Sequence, residues 1–347
     1  MAWALPEHSR TEVNAASKIW LRQTSTDLEK TEALRVVNNW RGIHAFPLNT
    51  FQMGLRRRGE KLSGDVIVAQ RIKRLSSIEL KLSLRPNMKI TQMQDIGGCR
   101  AILEDVDQAR ELVRSFKQSD LKHKLLTEDD YIAFPRHSGY RGMHLVYSYN
   151  SDRSTTYNDL KIEPQLRSQL QHAWATSVEV VGTMVDQALK SSLGEPGWLR
   201  FFQLMSSEIA RREGQPLVPG TPPKLDDARR ELLQLVNHYN PVHRLNTYSD
   251  ALNYIDNAST KDHFFLLHLK PKENKLLISA FKKNASRLAN EQYLDIEKGI
   301  PPDSDEEAVL VSVDSLALLK RAYPNYFLDT KIFAGEVDRA VKLARRI

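Results

Sequence analysis

The chain has 347 residues, 41% hydrophobic and 27% charged, enough for one large or two modest cores. Its formal net charge of +7 favours polyanionic or phosphorylated partners, and its single cysteine excludes a disulfide framework and a cysteine-rich zinc site. No run of about 18 apolar residues predicts a membrane span, and Met1–Arg10 lacks the apolar centre of a secretory signal, so the cytoplasm is the expected compartment.

In chain order, residues 9–24 read as a helix capped by Ser9, with Val13, Ala16, Ile19 and Trp20 on its apolar face. A second helix spans Asp27 to Trp40 and is broken by His44 to Pro47. A third starts near Asn49 and turns basic at Arg56, Arg57 and Arg58. Over residues 66–81, Arg71, Arg74, Ser77 and Lys81 recur at spacings of three and four, which a helix would gather on one face, with Lys73 beside it. A basic face with a hydroxyl suits a triphosphate. The alternative is a solvated charged face, weakened here because Glu79 is the sole carboxylate among these residues.

Met93 to Leu103 reads as a short buried strand holding Asp95, the pair Gly97-Gly98 and Arg100. A buried charge is costly unless it is paired or holds a metal, and a glycine pair lets a ligand approach closely. Asp95 and Arg100 either face a phosphate–metal complex or are a strand-end acid and a surface base. Val106, Ala109, Leu112, Val113 and Phe116 then repeat at helical spacing, and a polar turn is expected at Glu128 to Asp130. Tyr131 to His144 carries Pro135, Ser138, Gly139 and Gly142 and reads as a loop. Its aromatic and basic content suits base stacking and phosphate pairing, or equally a hairpin turn. From Tyr157 to Arg167, polar and apolar residues alternate. A strand there puts Lys161, Glu163, Gln165 and Arg167 on one face, where Glu163 suits either a Mg²⁺ shared with Asp95 or the role of base.

A long helix follows with Leu170, Trp174, Val178, Val181 and Val185. His172 on it is either a site residue or a structural histidine. Another helix holds Phe201, Phe202, Met205 and Ile209. The Pro-rich stretch 216–223 reads as a linker and sets the expected boundary. Beyond it come a helix with Leu232, Leu233 and Val236, a break at Asn240-Pro241, and a shorter helix from Asp250 to Ile255. A hairpin over 263–281, a helix over 284–298 and a strand over 308–313 complete a small α/β module. The chain closes with Tyr323-Pro324-Asn325-Tyr326 and a helix ending in Arg345-Arg346.

Taken in order, the basic segment 71–81, the Asp95 strand, the Gly139-Tyr140 loop and the Glu163 strand resemble the synthetase domain of the RelA/SpoT family. The resemblance covers roughly residues 45–215. It implies a nucleotidyltransferase-like mixed sheet flanked by helices and transfer of the β,γ-pyrophosphate of ATP to a ribose hydroxyl, with Mg²⁺. By it, Asp95 holds the metal and Glu163 is the second carboxylate, as ligand or base. Arg71, Lys73, Arg74, Ser77, Lys81 and Arg100 hold the ATP phosphates. Tyr140 stacks on the acceptor base, with His144, Gln165 and Arg167 nearby. Pro164 departs from the aliphatic residue usual in this strand, and a strand edge or bulge is expected there. No His-Asp metal motif of the family's hydrolase domain is present, so the chain is not expected to degrade its product.

The pair Tyr323 and Tyr326 is similar to the Tyr-x-x-Tyr element of CapRel-type fused toxin–antitoxins. That likeness implies a catalytic toxin domain over 1–215, a linker over 216–224 and a regulatory module over 225–347 that blocks the ATP site. It also implies pyrophosphorylation of the 3′ end of tRNA and release by a phage major capsid protein. The alternative is a small alarmone synthetase acting on a free guanosine or adenosine nucleotide.

Overall fold

The computed structural model describes residues 3–73, 75–119, 122–184, 195–257, 262–270, 275–300, 306–312 and 326–346. They form two compact units: 1–131 with 142–169, and 132–141 with 170–347.

The first unit opens with two helices, α1 (Arg10–Leu21) and α2 (Asp27–Gly42). Each starts in a reciprocal capping box, Ser9 with Glu12 and Thr26 with Glu29, which satisfies backbone donors that a helix start leaves orphaned. The second helix ends before His44 as expected, but Pro47 takes no part in the break. It sits in the first turn of α3 (Ala45–Gly59), where a missing N–H costs nothing.

The segment 66–81 is not one helix. Its β-branched start forms strand β1 (Ile67–Ile72), and only Leu75–Ser83 is helical (α4). Arg71 therefore lies on a strand and Lys73 in the link after it, while Ser77 and Lys81 keep their four-residue spacing on α4. Arg74 lies outside the described residues. The Asp95 run becomes a strand only at Gly97, as β2 (Gly97–Leu103), so Asp95 sits just before the sheet. Helix α5 (Val106–Lys117) follows, capped by Asp105.

Residues 128–130 are no turn. They end strand β3 (Lys124–Asp130), an exposed edge strand whose polar residues are affordable because one face meets solvent. It pairs antiparallel with β4 (Met143–Ser148), and the central strand β5 (Lys161–Ser168) completes the order β1-β2-β5-β4-β3. Only β2 and β5 run parallel, giving the expected mixed sheet. Helices α3 and α5 pack on it. Ile162 and Leu166 of β5 and Cys99 and Ala101 of β2 are buried on one face, leaving the alternate residues for the other.

The expectation for Pro164 fails. It lies in the middle strand, and there is no bulge. The β4 ladder pairs His144 with Gln165 on one side of it and Tyr147 with Ile162 on the other, in one register. The lost donor is absorbed without shifting the chain.

In the second unit, α6 (Gln169–Met184) and α7 (Pro196–Arg212) lead to α8 (Leu225–Tyr239). Val185 and the predicted helix end near Gly194 fall outside the described residues. Asn240 stops α8 in the left-handed region (φ 44°), and Pro241 opens the 17-residue helix α9 (Pro241–Asn257), much longer than the expected Asp250–Ile255. Proline at the first helical position is tolerated for the reason given for Pro47. Strands β6 (Phe264–Lys270) and β7 (Lys275–Phe281) form the expected hairpin pairing, and β8 (Glu307–Ser312) adds to give the order β7-β6-β8. Helix α10 (Ser286–Gly299) buries Ala289 against Leu266 and Phe281. The last helix, α11 (Tyr326–Ala344), stacks Phe333 on Phe202 at 5.7 Å.

Residues 216–223 lie inside this unit. Val218 is buried, its N–H donates to Ser207 Oγ, and Arg200 donates to Gly220 O. The loop 132–141 is pinned here as well. Ser206 Oγ donates to Gly139 O at 2.6 Å, and Arg141 donates to Ser206 Oγ, Ile132 O and Pro216 O. Gly139 has φ +91°, and a Cβ there would come 3.0 Å from the Trp174 ring.

Candidate active site

Register decides what the polar face of the first sheet holds. Across β1, β2 and β5, Arg71 is opposite Gly98 and Gly98 is opposite Glu163. Ala69, Arg100 and Gln165 form the next row on the same face. Residues directly opposite share a face, so Arg71, Arg100, Glu163 and Gln165 ring Gly98, whose missing side chain leaves a hollow. A Cβ at Gly98 would meet only main-chain oxygens of Glu163 and Arg71, at 3.8 and 4.0 Å, so the hollow is open above the strand.

Glu163 is held from two sides. Its Oε1 is 2.9 Å from His144 Nδ1, and its Oε2 accepts from Gln165 Nε2 at 2.9 Å. Arg167 in turn donates to Gln165 Oε1 at 3.1 Å. Gly142, at φ +146°, lets the loop pass the Arg167 side chain, where a Cβ would sit 3.2 Å from Cγ. Tyr131 meets the His144 ring edge-on at 5.2 Å. Burial raises the Glu163 pKa. The hydrogen bond and charge of His144 outweigh it, so the carboxyl lies below its ordinary range, although the charge of nearby Asp95 opposes this. The two acids, 68 positions apart in sequence (163 − 95), are near enough for the charge of one to act on the other.

Asp95 is gripped by two lysines. Lys73 Nζ lies 2.7 Å from Oδ2 and Lys81 Nζ 3.0 Å from Oδ1. Burial raises the Asp95 pKa, and the two ammonium groups more than offset it, holding the group ionised below the usual carboxylate range. The backbone helps, since Lys73 N–H donates to Ile96 O at 2.7 Å.

The residues expected to hold phosphates are thus brought together in part. Lys73 and Lys81 meet on Asp95, Arg71 and Arg100 stand on adjacent strands, and Ser77 lies one turn before Lys81. His144, Gln165 and Arg167, expected around an acceptor, form a chain of contacts ending on Glu163. Tyr140 is buried in the pinned loop of the second unit. Tyr323 lies outside the described residues, and Tyr326 opens α11. His172 belongs to the second unit, where its Nε2 is 3.2 Å from Asp329 Oδ2. The sequence marks the pair Gly97-Gly98 as a place of close approach without choosing between them, and it leaves Tyr131 unmarked as a neighbour of His144. Strand register chooses Gly98, and nothing local signals Tyr131.

Two hard-oxygen carboxylates suit a magnesium ion, which is commonly bound by one or two carboxylates with phosphate and water completing the shell. Among the described residues no group of three or more His, Cys, Asp or Glu is placed to hold a metal by itself, so substrate oxygens would have to finish the coordination.

Acids, clustered cations and a glycine without a side chain are groups whose chemistry suits a phosphorylated ligand with a divalent ion. Residues 70–180 match the family model described as the region found in RelA / SpoT proteins, and this stretch supports the synthetase family. The chain is similar to the GTP pyrophosphokinase YjbM of Bacillus subtilis (strain 168), 32% identical over 111 residues, 31% of this chain and 52% of that protein. It thus spans about half the length of that curated relative. Among solved structures, it is similar to the small alarmone synthetase 1 from Bacillus subtilis bound to its product pppGpp, at 24% identity and a TM-score of 0.41, over 48% of this chain and 86% of that one. The small alarmone synthetase 2 from Bacillus subtilis is 20% identical with a TM-score of 0.43, over 50% and 92%. Among the described residues no helix is long and apolar enough to cross a membrane.

Proposed function

We propose that the chain is an ATP-dependent pyrophosphokinase that moves the β,γ-pyrophosphate of ATP to a ribose hydroxyl of a guanosine or adenosine nucleotide, as a small alarmone synthetase does. The observation that carries this is Arg71, Arg100 and Glu163 sharing one face of the sheet, with Asp95 just before β2 paired to Lys73 and Lys81. The family match over 70–180 supports it.

In this reading the acceptor hydroxyl attacks the β-phosphorus, the β–α bridging bond breaks, and AMP leaves. Glu163 takes the hydroxyl proton. His144 and Gln165 fix its two oxygens, so the carboxylate is aimed before substrate arrives. Lys73, Lys81, Arg71 and Arg100 neutralise charge on the phosphates. Asp95 with Glu163 would hold Mg²⁺, which when bound would supply Lewis-acid stabilisation of the phosphate oxygens.

A finer reading rests on the sequence resemblance and the basic net charge. Here 1–215 is a toxin domain, tRNA is the acceptor, and 225–347 inhibits through Tyr323 and Tyr326 until a phage capsid protein relieves it. One experiment separates the readings. The protein is incubated with ATP labelled in the γ-phosphate, Mg²⁺, GDP, GTP, AMP and deacylated tRNA, with and without capsid protein. Label on a free nucleotide is the expected result. Label on tRNA alone favours the finer reading, and no transfer to any acceptor rejects both.

A further inference from the structure

Asp95 is the group expected to meet the divalent ion, yet each of its oxygens is already matched to a separate ammonium group. The lysines come from different places, Lys73 from the link after β1 and Lys81 from the last turn of α4. All three side chains keep some exposure, 14% for Lys73, 22% for Asp95 and 28% for Lys81, so a ligand can reach them. Glu163 differs. Its two oxygens are held by an imidazole and an amide, and no lysine touches it among the described contacts.

A dication approaching Asp95 meets two positive charges lodged on its ligand oxygens. A triphosphate approaching the lysines meets their carboxylate partner. Each ligand removes the obstacle to the other. If the triphosphate draws the ammonium groups away, the carboxylate is released, and if the ion takes the carboxylate, the ammonium groups are released. Lysine suits such an exchange, because its compact charge sits on a flexible four-carbon stem, whereas a forked guanidinium would hold the carboxylate in a fixed bidentate pair.

We infer that Lys73 and Lys81 are exchangeable counter-ions of Asp95, which pass from the carboxylate to the triphosphate and so make the binding of ATP and of the divalent ion mutually dependent. The inference rests on the nucleotide reading of the site and adds to it a coupling between its two ligands. Linkage requires the coupling to be equal in both directions.

The test is made on the whole protein. Mn²⁺ uptake without nucleotide is followed by loss of the free-ion electron paramagnetic resonance signal. Binding of a fluorescent α,β-methylene analogue of ATP is followed separately in excess EDTA. Lys81→Gln is expected to tighten nucleotide-free Mn²⁺ binding about tenfold, a typical size for coupling between sites, and Asp95→Asn to tighten metal-free analogue binding by a similar factor. Lys81→Arg, which keeps the charge and would hold the carboxylate in a fixed pair, should bind nucleotide-free Mn²⁺ no more tightly than the wild type. Lys73→Gln replaces Lys81→Gln if the latter does not fold by circular dichroism. Mn²⁺ binding unchanged or weakened in the folded Lys→Gln variant, or metal-free analogue binding unchanged or weakened in Asp95→Asn, overturns the exchange. A wild-type protein that binds no analogue even with Mn²⁺ overturns the nucleotide site itself, a separate outcome.

Discussion

Two carboxylate–imidazole contacts in this protein have nearly the same chemistry and different surroundings. Glu163 and His144 meet at 2.9 Å with 14% and 13% of their side chains exposed. Asp329 and His172 meet at 3.2 Å with 7% and 6% exposed. The first pair stands on a sheet face beside a glycine hollow, with Asp95, Lys73, Lys81 and Arg100 close by in the same unit. The second joins α6 to the first turn of α11, and Thr176 on α6 donates to the same Asp329 oxygen at 3.2 Å. Pairing alone does not mark a site. Charges gathered in excess around open space do, whereas an acid enclosed between helices with its donors ties those helices together.

The comparison breaks most visibly at Glu163. Glu163→Gln is expected to lower kcat for pyrophosphate transfer by about 10²–10⁴-fold, the usual worth of a positioned base. The thermal midpoint should stay near that of the wild type, because the amide keeps the shape. Transfer from labelled ATP and a melting curve check both halves, and a large fall in midpoint would make Glu163 structural.

Asp329→Ala should do the reverse. Removing an acceptor shared by Thr176 and His172 inside the second unit is expected to cost about 3 kcal/mol, read in urea, with transfer per folded molecule retained. Equal stability in the variant would mean that α11 does not depend on this contact.

A third histidine sharpens the contrast through pH. His44 is buried in the first unit with its Nδ1–H donating to Trp40 O at 2.8 Å, and burial pushes its pKa from 6.5 down to about 4. Between those values the unfolded chain binds the extra proton and the folded one does not. Stability is therefore full above about pH 6.5 and falls as pH drops toward 4, by about 3 kcal/mol at most at 1.36 kcal/mol per pH unit. Urea unfolding at pH 7 and pH 4.5 for wild type and His44→Gln tests this, since the part of the acid loss due to His44 should vanish in the variant.

Smallest of all is Ser9→Ala. It removes one half of the α1 capping box and should cost about 1 kcal/mol with no effect on transfer, a baseline for a local contact far in kind from either pair.

Much of the architecture was legible in one dimension. The Ser9 cap, the 3.6-residue repeat of α5, the alternation of β5 and the 263–281 hairpin are local signals, and local hydrogen bonding and burial period produce them directly. The site residues were legible as types in order, because phosphate and metal chemistry demands acids, cations and glycine whatever the fold. The misreadings share one cause. At 66–74 a helical spacing of charges outvoted β-branched residues whose strand exists only because β2 lies beside it. At 128–130 a polar run looked like a turn because the partner strand that makes it an edge lies beyond a loop. Pro164 seemed to require an edge, yet the sheet absorbs it at its centre.

By itself, then, the sequence determined which groups exist and which short stretches are helical or extended, since propensity, capping and periodicity act over a few residues. The tertiary structure alone decided that both oxygens of Asp95 rest on lysines, that His144 and Gln165 grip Glu163, and that His172 has gone to a carboxylate more than 150 positions away. Those contacts depend on strand order and register, which no window along the chain contains.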